Sequence, residues 1–310
     1  MRVLIAGGRG VLGGAFARLL RASGHQVRIL TRGPARRTDE VHWDGSGPGD
    51  WETEIQDADA VVNASGYGLE HWPWSKAMKR RFVDSRVQPG LALAAAIARS
   101  KRRPGIFLQF SGINRYGLHG RTLAVESTPA ADDFLAQLTV DWEQATAGLQ
   151  ELGVRHVITR NAVVLHARRG LFPLMALPAR LFVGGRFGSG TQTVPWIHAT
   201  DHARALQFLL EDPNASGAYN LIAPDTSTNS EFIRAICEAL GRPFWFHVPG
   251  IALRLALGEM AQLILSGRPS HPRKLLDAGF VFAYPTLETA LGEIFHRPAV
   301  QVTPLRRMGT

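Results

Sequence analysis

Cysteine is almost missing from this 310-residue sequence, with Cys237 standing alone. One thiol excludes an intramolecular disulfide, and no cysteine pair exists to build a thiolate metal site. His, Asp and Glu are nowhere grouped at metal-ligand spacing, so no metal is expected, and no GxSxG elbow offers a serine nucleophile. The chain lacks an apolar run long enough to cross a bilayer and a Lys/Arg block of nucleic-acid-binding type, so neither membrane nor nucleic acid is an expected partner. No signal peptide precedes the first apolar segment, which starts at residue 2, and this with the single cysteine predicts a reducing, cytoplasmic setting. Acidic residues are also few, 26 against 35 Lys and Arg, for a formal charge of +9. The surplus is almost entirely arginine scattered along the chain, which suits a solvated basic surface and an anionic small ligand. Hydrophobic residues at 45% and charged residues at 20% give an ordinary globular balance, enough for one large domain or two moderate ones.

What is present begins at once. Arg2 to Ala6 reads as a short buried strand running into Gly7-Gly8-Arg9-Gly10-Val11-Leu12-Gly13, and an apolar segment of helical period follows, carrying Phe16, Leu19 and Leu20. The glycines fit both GxGxxG and GxxGxxG, and strand, turn and helix stand in the order that a dinucleotide site needs. Glycine serves here because a side chain would block the approach of backbone to a diphosphate. Gly7, Arg9, Gly10, Val11, Leu12 and Gly13 are therefore candidate cofactor ligands. A second strand, Gln26 to Arg32, ends in Thr31-Arg32 where an NAD-specific fold would place a carboxylate, and Arg36 and Arg37 lie just beyond. Arginine would pair with a 2′-phosphate, so Thr31, Arg32 and Arg37 point to NADP(H).

Further strands are predicted at 40–43, 60–64, 106–110, 156–165 and 218–223. Helices are predicted over 75–100, kinked at Pro89-Gly90, and over 132–152. The strand at 60–64 ends in Asn63, Ala64, Ser65 and Gly66, small residues that leave room for a ligand. The alternation implies an α/β fold with a doubly wound parallel sheet of Rossmann type. Glycines and prolines interrupt 166–195, an expected excursion from the sheet, and a mostly helical smaller lobe follows. The expected division is a dinucleotide-binding domain over 1–225, with that excursion reaching into the substrate lobe, and a C-terminal substrate lobe over 226–310.

Several separate stretches together resemble the extended short-chain dehydrogenase/reductases: the glycine turn, Asn63 to Gly66, Ser111 with Tyr116-Gly117, Arg160, and Trp196-Ile197-His198 with Asp201. Nearly the whole chain is similar to the atypical epimerase-family proteins of that superfamily, also labelled nucleoside-diphosphate-sugar epimerases. These end in a small domain of unknown function, which Asn229 to Leu291 resembles, Gly258-Glu259 included. The resemblance implies an NADP(H)-dependent oxidoreductase or epimerase acting on a small polar, nucleotide-sugar-like molecule, and leaves room for a homodimer. It also implies cofactor contacts at Ser111 and Arg160.

An ordinary member of that superfamily uses a tyrosine acid/base with a lysine four residues on. Here Tyr67, Tyr116, Tyr219 and Tyr284 are followed at that distance by His71, Gly120, Ala223 and Glu288, so the dyad is missing. Phe134 to Leu138 put hydrocarbon where it would lie. Ser111, at the position of the family's active-site Ser/Thr, and Tyr116, the phenol nearest to it, are the remaining catalytic candidates. Lys79 and Arg86 match basic positions of the relatives' long helix, and Gly190 and Gln192 resemble the family's substrate-side loop, so these four are candidate substrate contacts. Without the dyad, the alternative is an NADP(H)-binding sensor or interaction protein that does not turn over.

Overall fold

Seven parallel strands form the centre of the protein, whose computed structural model describes residues 1–296. The strands and helices that build the sheet layer are β1 (Arg2–Ala6), α1 (Val11–Ala22), β2 (Gln26–Thr31), β3 (Glu40–His42), α2 (Thr53–Asp57), β4 (Ala60–Asn63), α3 (Lys76–Arg99), β5 (Ile106–Gly112), α4 (Phe134–Gln144) and β6 (Arg155–Asn161). The chain then leaves through β7 (Val163–Leu165), α5 (Leu171–Arg180) and β8 (Gly184–Phe187). It returns by β9 (Trp196–His198), α6 (Ala199–Glu211) and β10 (Gly217–Leu221). The remainder is α7 (Asn229–Ala239), β11 (Phe244–Val248), α8 (Gly250–Leu257), α9 (Gln262–Leu265), α10 (Arg273–Asp277) and α11 (Leu287–His296).

The main sheet runs β10-β6-β5-β4-β1-β2-β3, with Ala6 opposite both Leu30 and Asn63. Chain order reverses between β1 and β4, so their carboxyl ends stand side by side and open a crevice. A parallel sheet is covered on both faces, and its central strands are correspondingly apolar throughout: Val3, Leu4, Ile5 and Ala6 are all buried. One face packs on Phe16, Leu20, Leu206 and Leu209 from α1 and α6, the other on Ile55, Leu93 and Ile97 from α2 and α3. A separate apolar cluster joins Phe172 and Met175 of α5 to Phe232 and Ile236 of α7 and Leu291 of α11.

Helix α3 matches the expected span as one element of 24 residues with Pro89 inside it, capped by Ser75, whose hydroxyl accepts from the Met78 amide. Two other elements differ from the sequence expectation. The helix expected over 132–152 stops at Gln144 and gives way to a 3-10 turn at Ala147–Leu149. The buried Thr146 between them is turned inward to meet the ring of His156 at 3.0 Å. The strand expected over 156–165 is two strands. Ala162 separates them, and β7 abandons the main sheet to pair with β9.

Candidate cofactor and substrate site

The turn after β1 is held by contacts that allow no side chains. Gly7 has φ of +81°, and a Cβ on it would sit 2.5 Å from the carbonyl oxygen of Ala64. A Cβ on Gly13 would sit 2.6 Å from the Gly7 oxygen, whereas at Gly10 the nearest atom is that same oxygen at 3.1 Å and the rest is open. Gly10 caps α1 with no side chain of its own and no acid occupies the first turn, so the leading amides of the helix have no intrahelical acceptor. That end is suited to an anion.

Two cavities meet at this turn, and Gly10, Ala64, Ser65 and Gly66 belong to the walls of both. The first, about 510 Å³, is also lined by Val11, Leu12, Gly13, Arg86, Ser111 and the α4 residues Leu135 and Leu138. The second, about 650 Å³, is lined by Gly7, Arg9, Thr31 and Arg32, and by Arg80 and Arg81 of α3. Asn63 lies beneath the junction, its amide donating to Gln109 Oε1 and its Oδ1 accepting from the Ser65 amide.

The arginines expected at the cofactor separate. Arg9 forks onto Glu40, with Nε 2.9 Å from Oε1, and also donates to the Pro34 carbonyl. That guanidinium, with the Arg36 amide, holds the Glu40 carboxyl down to about 2. Arg32 reaches the second cavity unpaired by any carboxylate among the described residues. Arg37 does not reach it: its side chain pairs with Asp39 at 3.0 Å and faces a third cavity on the far side of Arg9. Arg80 and Arg81 escaped the sequence reading. Their signal was the basic run Lys79-Arg80-Arg81, between one and two helical turns before Arg86.

Behind the first cavity lies a buried polar chain. Ser111, at the end of β5, donates to Glu143 Oε1 at 2.7 Å. Arg160 of β6 clasps the same carboxylate through Nε at 2.9 Å and Nη2 at 3.0 Å, while its Nη1 donates to the Tyr116 oxygen at 2.8 Å. Tyr116 in turn donates to Asn220 Oδ1 at 2.6 Å. Its ring is fully buried and absent from the cavity wall, and burial raises its phenol above the ordinary range against the pull of Arg160. The structure thus brings Ser111 to the cavity and keeps Tyr116 and Arg160 behind it. Glu143 was not foreseen. A lone carboxylate on the inward face of α4, beside Trp142, was its only trace.

Of the four candidate substrate contacts, Arg86 alone lines the first cavity. Lys79 pairs with Glu259 at 2.5 Å and lies over the Phe134 ring. Gly190, at φ +74°, packs against Ser230. Gln192 donates to the carbonyls of Phe187 and Ile264, both at 3.0 Å, tying the excursion to α9. The motif at His198 and Asp201 is likewise occupied, with Asp201 accepting the amides of Ala283 and Tyr284 and His198 meeting Glu293. Among the described residues no group of three acidic, His or Cys side chains could hold a metal ion, and no helix is long and apolar enough to cross a membrane.

A crevice at the strand-order reversal, floored by a glycine turn, defines the dinucleotide-binding class of α/β proteins. Comparison narrows this: a model of the NAD dependent epimerase/dehydratase family matches residues 3–222, and one for a domain of unknown function, DUF1731, matches residues 248–294. The chain belongs to the NAD dependent epimerase/dehydratase family. An epimerase family protein of Mycobacterium tuberculosis is 39% identical over 299 residues, spanning 96% of this chain and 98% of the relative. The crystal structure of human epimerase family protein SDR39U1 with NADPH superposes with a TM-score of 0.88 at 32% identity, covering 96% of this chain and all of that one. The nucleoside-diphosphate sugar epimerase from Corynebacterium glutamicum gives a TM-score of 0.79 at 27% identity over 95% of this chain and 58% of that one.

Proposed function

We propose that the protein is an NADP(H)-dependent oxidoreductase or epimerase of the extended short-chain type, acting on a small polar, nucleotide-sugar-like substrate in the first cavity. The observation that carries this reading is the sharing of Gly10 and residues 64–66 by two cavities of opposite character. A dinucleotide spans such a junction. The residues fit the group: the open space at Gly10 and the free leading amides of α1 suit its diphosphate, and Thr31, Arg32, Arg80 and Arg81 suit a phosphorylated ribose. The solved human relative that contains NADPH supports the choice of cofactor. When bound, the nicotinamide would supply or accept a hydride.

The chain's own contribution is a proton path. Because Ser111 donates to Glu143, its oxygen keeps lone pairs free for a substrate hydroxyl. A hydroxyl proton passes to Ser111 Oγ as the serine proton moves to Glu143, and the reverse sequence protonates a carbonyl oxygen. Arg160 positions the carboxylate. We assign residues 1–225 to cofactor binding, with 166–195 and the lobe from 226 on shaping the substrate end, in a cytoplasmic protein that forms a homodimer. Residues 297–310 of that lobe lie outside the described ones.

One observation favours the second reading, a binding protein without turnover: α4 presents Leu135 and Leu138 to the cavity where the superfamily's dyad would stand. The test follows NADPH absorbance across a panel of nucleotide sugars. Turnover that Ser111→Ala abolishes and Tyr116→Phe leaves within a few-fold supports the enzyme. Binding of NADPH with no turnover and no epimerised product supports the second reading, and no binding of NADPH sinks both.

A further inference from the structure

Arg86 is anomalous among the arginines of this chain. It is 8% exposed, lines the first cavity and has no carboxylate within ion-pairing distance among the described residues. Its Nη1 donates to the Phe82 carbonyl at 3.0 Å, one turn back on α3, with a longer contact to Ser85. Nε and Nη2 have no bonded partner among the described residues. The guanidinium lies 5.0 Å from the centre of the Trp142 ring, and a Cβ on Gly66 would touch its Cζ at 3.5 Å. It is wedged between the strand-end loop and α4, on the wall that also carries Ser111.

Burying a guanidinium with no carboxylate in reach is costly, and the Phe82 carbonyl and the Trp142 ring offset only part of that cost. Burial weakens the hold of Arg86 on its proton, down to about 10, and Glu70 across the cavity only partly offsets it. A planar fork with one edge unused is the shape that accepts two oxygens of an oxyanion at once.

We propose that Arg86 anchors an oxyanion, a carboxylate or phosphate, carried by the substrate in the first cavity. This rests on reading that cavity as the substrate end of the NADP(H) site. The substrate is then an anionic molecule whose acidic group sits on Arg86 while its reacting hydroxyl or carbonyl meets Ser111. The other source of the same chemistry is the cofactor's own diphosphate, and the experiment separates the two.

Thermal unfolding of wild type, Arg86→Met and Arg86→Lys is followed with sodium oxalate, sodium phosphate or chloride at matched ionic strength, each with and without NADPH. NADPH affinity is measured by calorimetry. Oxalate or phosphate should raise the wild-type melting temperature above the chloride control, with no rise in Arg86→Met and a reduced one in Arg86→Lys, which keeps the charge and loses the fork. Ligand-free Arg86→Met should melt at or above wild type, since a costly buried charge is gone, and should bind NADPH within about twofold of wild type. A lower melting point for ligand-free Arg86→Met would make the guanidinium a packing element and overturn the proposal. So would equal anion responses in wild type and Arg86→Met, or no response in wild type. A tenfold loss of NADPH affinity in Arg86→Met would assign the residue to the cofactor instead. Failure of wild type to bind NADPH would defeat the cofactor reading alone, because the anion arms are read without it.

Discussion

The two cavities that meet at the glycine turn recognise by opposite means. The second is edged with exposed arginines, Arg32, Arg80 and Arg81 among them. The first is walled largely by Leu118, Leu135, Leu138 and Trp142; Glu70, Arg169 and Arg268 stand on its wall, Arg86 is sunk into it, and the Glu143–Arg160 pair is hidden behind Ser111. Charge at an exposed edge attracts from a distance but is screened and contributes little per pair, whereas a buried charge is held by a few short bonds and fails badly when one is removed. One end is therefore tolerant of substitution and the other is not.

That contrast is broken most sharply at Glu143. Glu143→Ala leaves Arg160 buried without its carboxylate and should lower unfolding stability by about 3–5 kcal/mol in urea titration, while Arg32→Ala should leave stability almost unchanged. Acid separates the ends next. His202, bonded to Asn161 of the first cavity's wall, and His156, beneath the turn after α4, are buried, and burial lowers them to about 3 and about 4. The folded chain keeps both rings neutral while the unfolded chain takes up protons near pH 6.5, so stability is lost as pH falls from about 6.5 towards 4. Each ring contributes up to about 1.4 kcal/mol per pH unit. His156→Gln should remove one ring's share of that slope in melts recorded across the range. At the junction, a Cβ on Gly10 would press on the Gly7 oxygen at 3.1 Å while the carboxylate adds a helix cap, so Gly10→Asp should change the melting temperature little, and its carboxylate should weaken NADPH binding by about 100-fold, roughly 2.7 kcal/mol, by calorimetry. The smallest effect belongs to the arginine-edged end: Arg32→Ala should narrow the preference for NADPH over NADH by about tenfold, roughly 1.4 kcal/mol, and Arg37→Ala by less than about twofold.

The same contrast explains what could be read before any coordinates. The glycine turn was legible because strand, turn and helix are consecutive and each glycine answers a local steric demand. That the sheet is parallel and covered on both faces followed from the alternation of strands and helices, whereas the order of its strands did not. The buried chain was not legible, since Ser111 and Glu143 lie 32 residues apart, Arg160 and Tyr116 44, and Tyr116 and Asn220 104. Nearness in sequence misled at Tyr116, five residues after Ser111, because the short turn Ile113–Tyr116 carries the ring inward. It misled again at Arg37, which stands in line with Arg32 but is taken by Asp39 two residues on. Glu40 takes Arg9 from 31 residues away, a pairing that no spacing rule marks.

The four residues common to both cavities restrict how this chain can diverge. Gly10, Ala64, Ser65 and Gly66 touch whatever occupies either end, so a replacement that adjusts one ligand disturbs the other at the same moment. Descendants with new substrates would have to arise through α3, α4 and residues 263–270, which meet only one occupant each or can be changed singly. A lineage built this way keeps its nucleotide while its chemistry drifts.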